Sequence, residues 1–175
     1  MSLNIPKPLL QLEANCGVFA IWLILKQYQA HIDIADLIKL CGHDQIDGTF
    51  TIALAVALKK LGFEVSFYTA PDPNVDEKEK QIFVEAKQLQ IPIAAALTYS
   101  EIQHAFEDGK FVIVFYDTLQ GMGNQSLIYS IDDQEISFCD HFEVMSKAVF
   151  EQQRQADGIC RQVIVVEQPV NHHPI

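Results

Sequence analysis

The sequence predicts a two-lobed α+β domain, with a helical layer around a central N-terminal helix packed on a C-terminal antiparallel sheet. Three observations predict it. From Val18 to Leu25 every residue is apolar, and a segment hydrophobic all round belongs at a domain's centre. Helix-spaced apolar residues gather in the first half of the chain and strand-like runs in the second, the pattern of a helical layer on a sheet. At 175 residues the chain suits one domain, 1–175, with a core of its own.

Pro6 and Pro8 hold 1–10 as an extended arm, with Leu9 and Leu10 placed to pack it on the body. The central helix begins near Cys16 and runs to about Tyr28. Asp33 caps a second helix whose face carries Ile34, Leu37, Ile38 and Leu40, and Gly42 ends it. After the polar loop from His43 to Gly48, Thr49 or Thr51 caps a third helix bearing Ile52, Leu54, Ala55, Leu58 and Leu61. Gly62 stops it in the left-handed conformation. Glu64 to Tyr68 alternates with period two and reads as a strand.

A turn at Pro71-Asp72-Pro73-Asn74 leads to a helix over Val75 to Gln90 with Ile82, Phe83, Ala86 and Leu89 as its stripe. Its charges, Asp76, Glu77, Lys78, Glu79 and Lys80, read as a solvated face. Ser100 to Glu107 is a further helix, ended by Asp108-Gly109. Phe111 to Tyr116, Ser126 to Ile131 and Glu135 to Phe138 are three antiparallel strands, the last two joined by a tight turn at Asp132-Asp133. Ser146 caps a helix to about Gln155, Gly158 breaks it, and Arg161 to Val166 closes the sheet. Residues 168–175 form a tail.

A net charge of −11 argues against nucleic acid, which needs clustered Lys and Arg, and makes an anionic membrane surface an unsuitable partner. The first residues lack a basic region followed by an apolar core, so no signal peptide is expected. No apolar run reaches the roughly 20 residues that span a bilayer, so no membrane insertion is expected. Cys16, Cys41, Cys139 and Cys160 are scattered, which suits a reduced, cytoplasmic setting.

Chemistry concentrates in Gln11-Leu12-Glu13-Ala14-Asn15-Cys16-Gly17. Cys16 at a helix's first turn meets unpaired N–H groups and the positive end of the dipole, which favour a thiolate and lower its pKa. Gln11, five positions earlier, is placed to fold back and donate a hydrogen bond to an oxyanion, together with the Cys16 N–H. The plain alternative is a small, buried, inert cysteine.

This lead-in resembles that of papain-like cysteine peptidases, and more closely the bacterial bacteriocin-processing branch that cleaves double-glycine leader peptides. The order of the later elements is similar too: Gly48-Thr49, the alanine-rich helix closing at Leu61-Gly62-Phe63, Ser100 to Lys110 before the strand Phe111 to Tyr116, the hairpin from Ser126 to Asp140, and Met145 to Glu167. Ala70 to Leu97 matches only loosely. The resemblance implies a papain-like fold, catalytic positions at Cys16 and Gln11, and Asp140 in the place of the acid that orients a histidine. In the family that histidine opens the hairpin's first strand, in a pattern like His-Ser-Leu-Ile-Tyr. Here the stretch is Gln125-Ser126-Leu127-Ile128-Tyr129, so Gln125 stands at the histidine position. An amide takes up no proton near neutral pH, so it is no general base.

Other histidines do not obviously replace it. His141 follows Asp140, and alternation along a strand sends the two to opposite faces. His43 lies in a loop and His104 on a surface helix. The pairs Cys41-Gly42-His43 and Cys139-Asp140-His141 are too tight for the usual zinc spacing, and His172-His173 sits in the tail, so neither metal nor cofactor is expected. Trp22 and Tyr28 read as core contacts, and Gly121 and Gly123 as the turn between two strands. Asp140 is expected to accept a hydrogen bond from the Gln125 amide. The expected function is a catalytically degenerate leader-peptidase-like domain that binds a peptide or partner protein in its cleft. The alternative is an active cysteine peptidase or amidase using Cys16 with another base. The sequence leaves the oligomeric state open.

Overall fold

The computed structural model describes residues 4–46, 48–118, 120–141 and 144–169, and the side chains of all of these but 168 and 169. Asp47 of the polar loop and 170–175 of the expected tail, His172 and His173 included, lie outside the described residues, whereas 168 and 169 continue the last strand.

The N-terminal segment departs from the extended arm. A short helix α1 (Lys7–Leu10) follows Pro6 and accepts Pro8 in its first turn, where no intrahelical N–H is needed. Helix α2 (Cys16–Gln27) is the central helix, buried from Gly17 to Leu25 apart from Phe19. Trp22 is in the core, and Tyr28 sets its ring edge against Phe63 and Phe111 at 5.4 and 6.0 Å. Helix α3 (Ile34–Leu40) is capped by the Asp33 carboxylate, which accepts from the N–H groups of Ala35 and Asp36, and Gly42 follows at φ +61°. In helix α4 (Thr51–Lys60) neither threonine caps. Phe50 is the cap, without a side-chain bond, and the Thr51 hydroxyl is committed elsewhere.

Strand β1 (Phe63–Thr69) leads through α5 (Glu77–Gln88) to a short parallel strand, β2 (Ile93–Ala95), that its sequence did not announce. The charged face of α5 is not wholly solvated. Asp76 caps the helix and Glu77 pairs with Lys80, but Glu79 is buried, accepts from Gln162 at 3.4 Å, and has its pKa raised by burial. Helix α6 (Tyr99–Glu107) opens with a capping box between Thr98 and Glu101. Strands β3 (Phe111–Asp117), β4 (Gly123–Ile131), β5 (Glu135–Phe138) and β6 (Val144–Ser146) then run antiparallel in chain order, before α7 (Lys147–Gln153) and β7 (Val163–Pro169). Gly121, at φ +73°, lies in the β3–β4 turn.

The seven strands form one sheet in the order β2-β1-β7-β3-β4-β5-β6. The last strand in sequence therefore completes the sheet from within. It fills the middle, antiparallel to β1 and to β3. Helices cover both faces, so the single helical layer expected from the sequence is half of the arrangement. On one face α2, α3 and α4 pack over Ile113, Leu127, Ile164 and Val166. On the other, Tyr99 and Ile102 of α6 and Phe150 of α7 pack over Val112, Val114, Ile128, Val163 and Val165. Alternation along each strand splits its side chains between the two cores.

Candidate functional site

The lead-in to α2 is held before the helix begins. Asn15 donates through Nδ2 to the Leu9 carbonyl at 2.7 Å, and the His43 Nε2 lies 2.9 Å from the Glu13 carbonyl. Ala14 takes φ +48°, uncommon for a residue with a Cβ, and turns the chain into the helix. Cys16 is the first helical residue, half-buried, with its sulfur against β4.

Both hydrogen bonds between the sulfur and β4 are made by one residue. The Gln125 N–H donates to Cys16 Sγ at 3.5 Å, and the Gln125 Oε1 accepts from the thiol across a long 3.7 Å. Its Nε2 donates to the Thr49 carbonyl at 2.6 Å and to Thr51 Oγ1 at 3.0 Å. The side chain is 4% exposed with both ends of its amide engaged. Gly17 makes room for it, because a Cβ there would fall 2.5 Å from Gln125 Oε1 and 2.8 Å from Leu54 Cδ1.

The expected depression of the Cys16 pKa is corrected. Its pKa is raised, and burial is the largest cause; the Asp140 carboxylate adds to it, against the lowering by backbone N–H groups of Gln125 and Gly17. A helix N-terminus does favour the thiolate, but the sulfur wedged between α2 and β4 loses more hydration than the dipole returns.

Asp140 does not meet the Gln125 amide either. Its Oδ2 accepts from Ser126 Oγ at 2.9 Å and from Asn124 Nδ2 at 3.3 Å. Asn124 also donates to Tyr116 Oη at 2.9 Å and to Ser126 Oγ at 3.0 Å. Gln125 points toward α2 and α4, so its neighbours Asn124 and Ser126 point to the other side of β4. His141 joins this second cluster, with Nε2 2.9 Å from Tyr116 Oη. The expectation that Asp140 and His141 diverge fails because β5 ends at Phe138 and the chain bends, so strand alternation no longer governs it. Tyr116, stacked on Phe138 at 4.9 Å, has its phenol pushed up to about 12, chiefly by burial.

Gln11 is exposed at the C-cap of α1, and its side chain makes no hydrogen bond to Cys16. His104 is exposed on α6. In the two Cys-x-His pairs, Cys41 is buried with its pKa raised to about 12 and Cys139 donates to the Ile128 carbonyl at 3.8 Å, while their histidines bond elsewhere. Among the described residues no three His, Cys, Asp or Glu side chains gather in a metal-binding group. Thr49, Thr51, Asn124, Ser126 and Tyr116 were not singled out from the sequence as site residues. The period-two pattern of β4 was the available signal for Asn124 and Ser126.

Comparison with known proteins gives consistent results. A model of the peptidase C39 family matches residues 9–114, from α1 into β3, and so stops short of Gln125. Over 67 residues, 38% of this chain, the sequence is 39% identical to the lactococcin-G-processing and transport ATP-binding protein LagD of Lactococcus lactis subsp. lactis. That alignment spans 9% of LagD's length. The fold resembles the crystal structure of the peptidase domain of Streptococcus ComA, a bifunctional ABC transporter involved in quorum sensing, with a TM-score of 0.51 at 18% identity over 86% of this chain and 89% of that one.

Proposed function

The chain belongs to the peptidase C39 family, and from that premise we propose that it is a degenerate leader-peptidase domain that holds a peptide or partner protein beside Cys16 without cutting it. The observation that carries this reading is the wiring of Gln125. Acyl transfer from a peptide needs a group that takes the thiol proton and returns it to the leaving amine. The side chain of β4 that reaches the sulfur is a carboxamide, bonded at both ends and unable to do either. Its position against Cys16 supports reading 125 as the histidine position of the family. Cys16 then keeps the nucleophile's place and Gln11 the oxyanion donor's as inherited positions, while Asp140, at the position of the orienting acid, is turned to Ser126 and Asn124 instead.

The setting proposed is the bacterial cytoplasm. No helix among the described residues is long and apolar enough to cross a membrane, and Cys16, Cys41, Cys139 and Cys160 are free thiols, as a reducing compartment would keep them.

The test pairs a fluorogenic double-glycine leader peptide with wild type, Cys16→Ser and Gln125→His. Wild type is expected to bind the peptide saturably and to leave it whole over hours. Iodoacetamide alkylation of wild-type Cys16 should follow a pKa above the ordinary thiol value, and Gln125→His should lower it. Cleavage by the wild type that disappears in Cys16→Ser would overturn the proposal and favour an active peptidase with a base elsewhere.

A further inference from the structure

A pocket of about 480 Å³ opens on the side of β4 away from Gln125, between the β3–β4 turn and α7. Tyr116 and Asn124 form its floor beside the Asp140 cluster, Met122 and Val144 its rim, and Val149 and Gln153 its α7 wall. That volume lies in the range of ordinary small-ligand sites.

Two polar groups in this pocket lack partners among the described residues. Gln153 is 8% exposed, its Oε1 is fully buried, and its carboxamide makes no hydrogen bond. The His141 Nδ1 is likewise buried and unbonded, although its Nε2 is held by Tyr116. Buried polar atoms are nearly always paired, so two orphans on side chains that line one cavity point to a place where something outside the chain completes the bonding.

The lining states the chemistry required. Among the described residues no charged side chain lines the pocket. Met122 and Val144, each 58% exposed, and Val149 are three of the seven large apolar side chains most exposed among those residues, and all three surround this opening. Apolar side chains grouped at one cavity favour an occupant with an apolar body. A carboxamide both donates and accepts, and its natural complement is another amide. The tautomer of His141 depends on where the Tyr116 hydroxyl proton points, toward His141 or toward Ser126, so Nδ1 presents either a donor or an acceptor. An amide answers both cases, having an N–H and a carbonyl.

We propose that this pocket is a second binding site, distinct from Cys16, for a neutral amide with an apolar body, the chemistry of an uncharged peptide segment bearing an apolar side chain. The Gln153 carboxamide pairs with the ligand's amide, His141 Nδ1 with its second polar group, and Met122, Val144 and Val149 hold the apolar part.

The experiment titrates isotope-labelled protein with N-acetyl-leucinamide, following the side-chain amide of Gln153 and the ring of His141 by NMR. Saturable shifts at both groups are expected, with N-acetyl-leucine, a carboxylate at neutral pH, binding at least about tenfold more weakly because no described side chain lining the pocket offsets its charge. Capped acetyl-Gly-Leu-Gly-amide separates the sources: tighter binding than the single residue identifies an extended peptide, equal binding a small free amide. Gln153→Leu should abolish saturation. Met122→Asp, at an exposed rim position that leaves the core intact, should weaken binding about tenfold or more. Cys16→Ala should leave binding unchanged, so this site can stand whether or not the reading of Cys16 does. No saturable shift at Gln153 with any of the amides, or an unchanged titration in Gln153→Leu and Met122→Asp, would overturn the proposal. So would a crystal structure grown with the amide that shows only water bridging Gln153 and His141.

Discussion

Two glutamines, Gln125 on β4 and Gln153 on α7, are almost equally buried, at 4% and 8% exposure, and their amides live in opposite circumstances. Gln125 is bonded to Cys16 on α2, to Thr51 on α4 and to Thr49 in the loop before α4. The Gln153 side chain is bonded to nothing among the described residues, and its amide oxygen is buried in the wall of a pocket. Burial alone therefore says little about what a polar side chain is for. A satisfied amide fixes packing, whereas an unsatisfied one is a cost that the fold carries.

Replacing each glutamine by leucine breaks this comparison most directly, because the two changes should differ in sign. Gln125→Leu leaves the Thr49 carbonyl and the Thr51 hydroxyl without their donor, at about 1–3 kcal/mol for each group stranded, so urea unfolding should show a loss of at least about 2 kcal/mol. Gly17→Ala tests the closeness of the same contact. Its Cβ must fit where Gln125 Oε1 and Leu54 already stand, so a loss of about 1–3 kcal/mol is expected, even though alanine favours the helix by about 1 kcal/mol. A more stable variant would mean that α2 can back away from β4.

The same measurement on Gln153→Leu should find a change near zero or a gain of about 1 kcal/mol, since a leucine removes an unpaired amide from an apolar wall. A loss as large as that of Gln125→Leu would equate the two glutamines. The smallest effect is electrostatic. A thiol whose folded pKa lies above its unfolded value of 9.0 supports the fold fully below pH 9 and loses that support as pH rises toward the folded pKa. Between pH 9 and 10 wild type should therefore lose stability more steeply than Cys16→Ala, by no more than about 1.4 kcal/mol. Equal slopes would show that Cys16 is hydrated like an ordinary thiol.

Much of this fold was legible because its signals are local. The apolar run of α2, the Asp33 cap, the Ser146 cap and the left-handed Gly62 each depend on residues within a turn of one another, and the structure has all of them. The place of β7 between β1 and β3 also has a local signal. Val163-Ile164-Val165-Val166 is an unbroken apolar run, as befits a strand covered on both faces. The site was less legible. Cys16 and Gln125 were singled out, but Gln125 finds its other partners 76 and 74 positions away, and no spacing rule reaches that far. The thiol's pKa was read from its helix terminus, whereas packing against β4 decides it. Gln153 carried no signal at all, because an amide on a short helix becomes unusual only once nothing lies opposite it.

The central place of β7 bears on how the sheet is assembled in time. Strands β3 to β6 form a meander of near neighbours that can pair as soon as they leave the ribosome, and β1 can pair with β2 across α5 earlier still. Neither half meets the other until residues 163–169 arrive to lie between them. Until then β1 and β3 each present a bare edge rich in apolar residues, the template on which chains associate wrongly. This makes the delivery of one late, valine-rich strand the step on which the nascent chain's escape from aggregation depends.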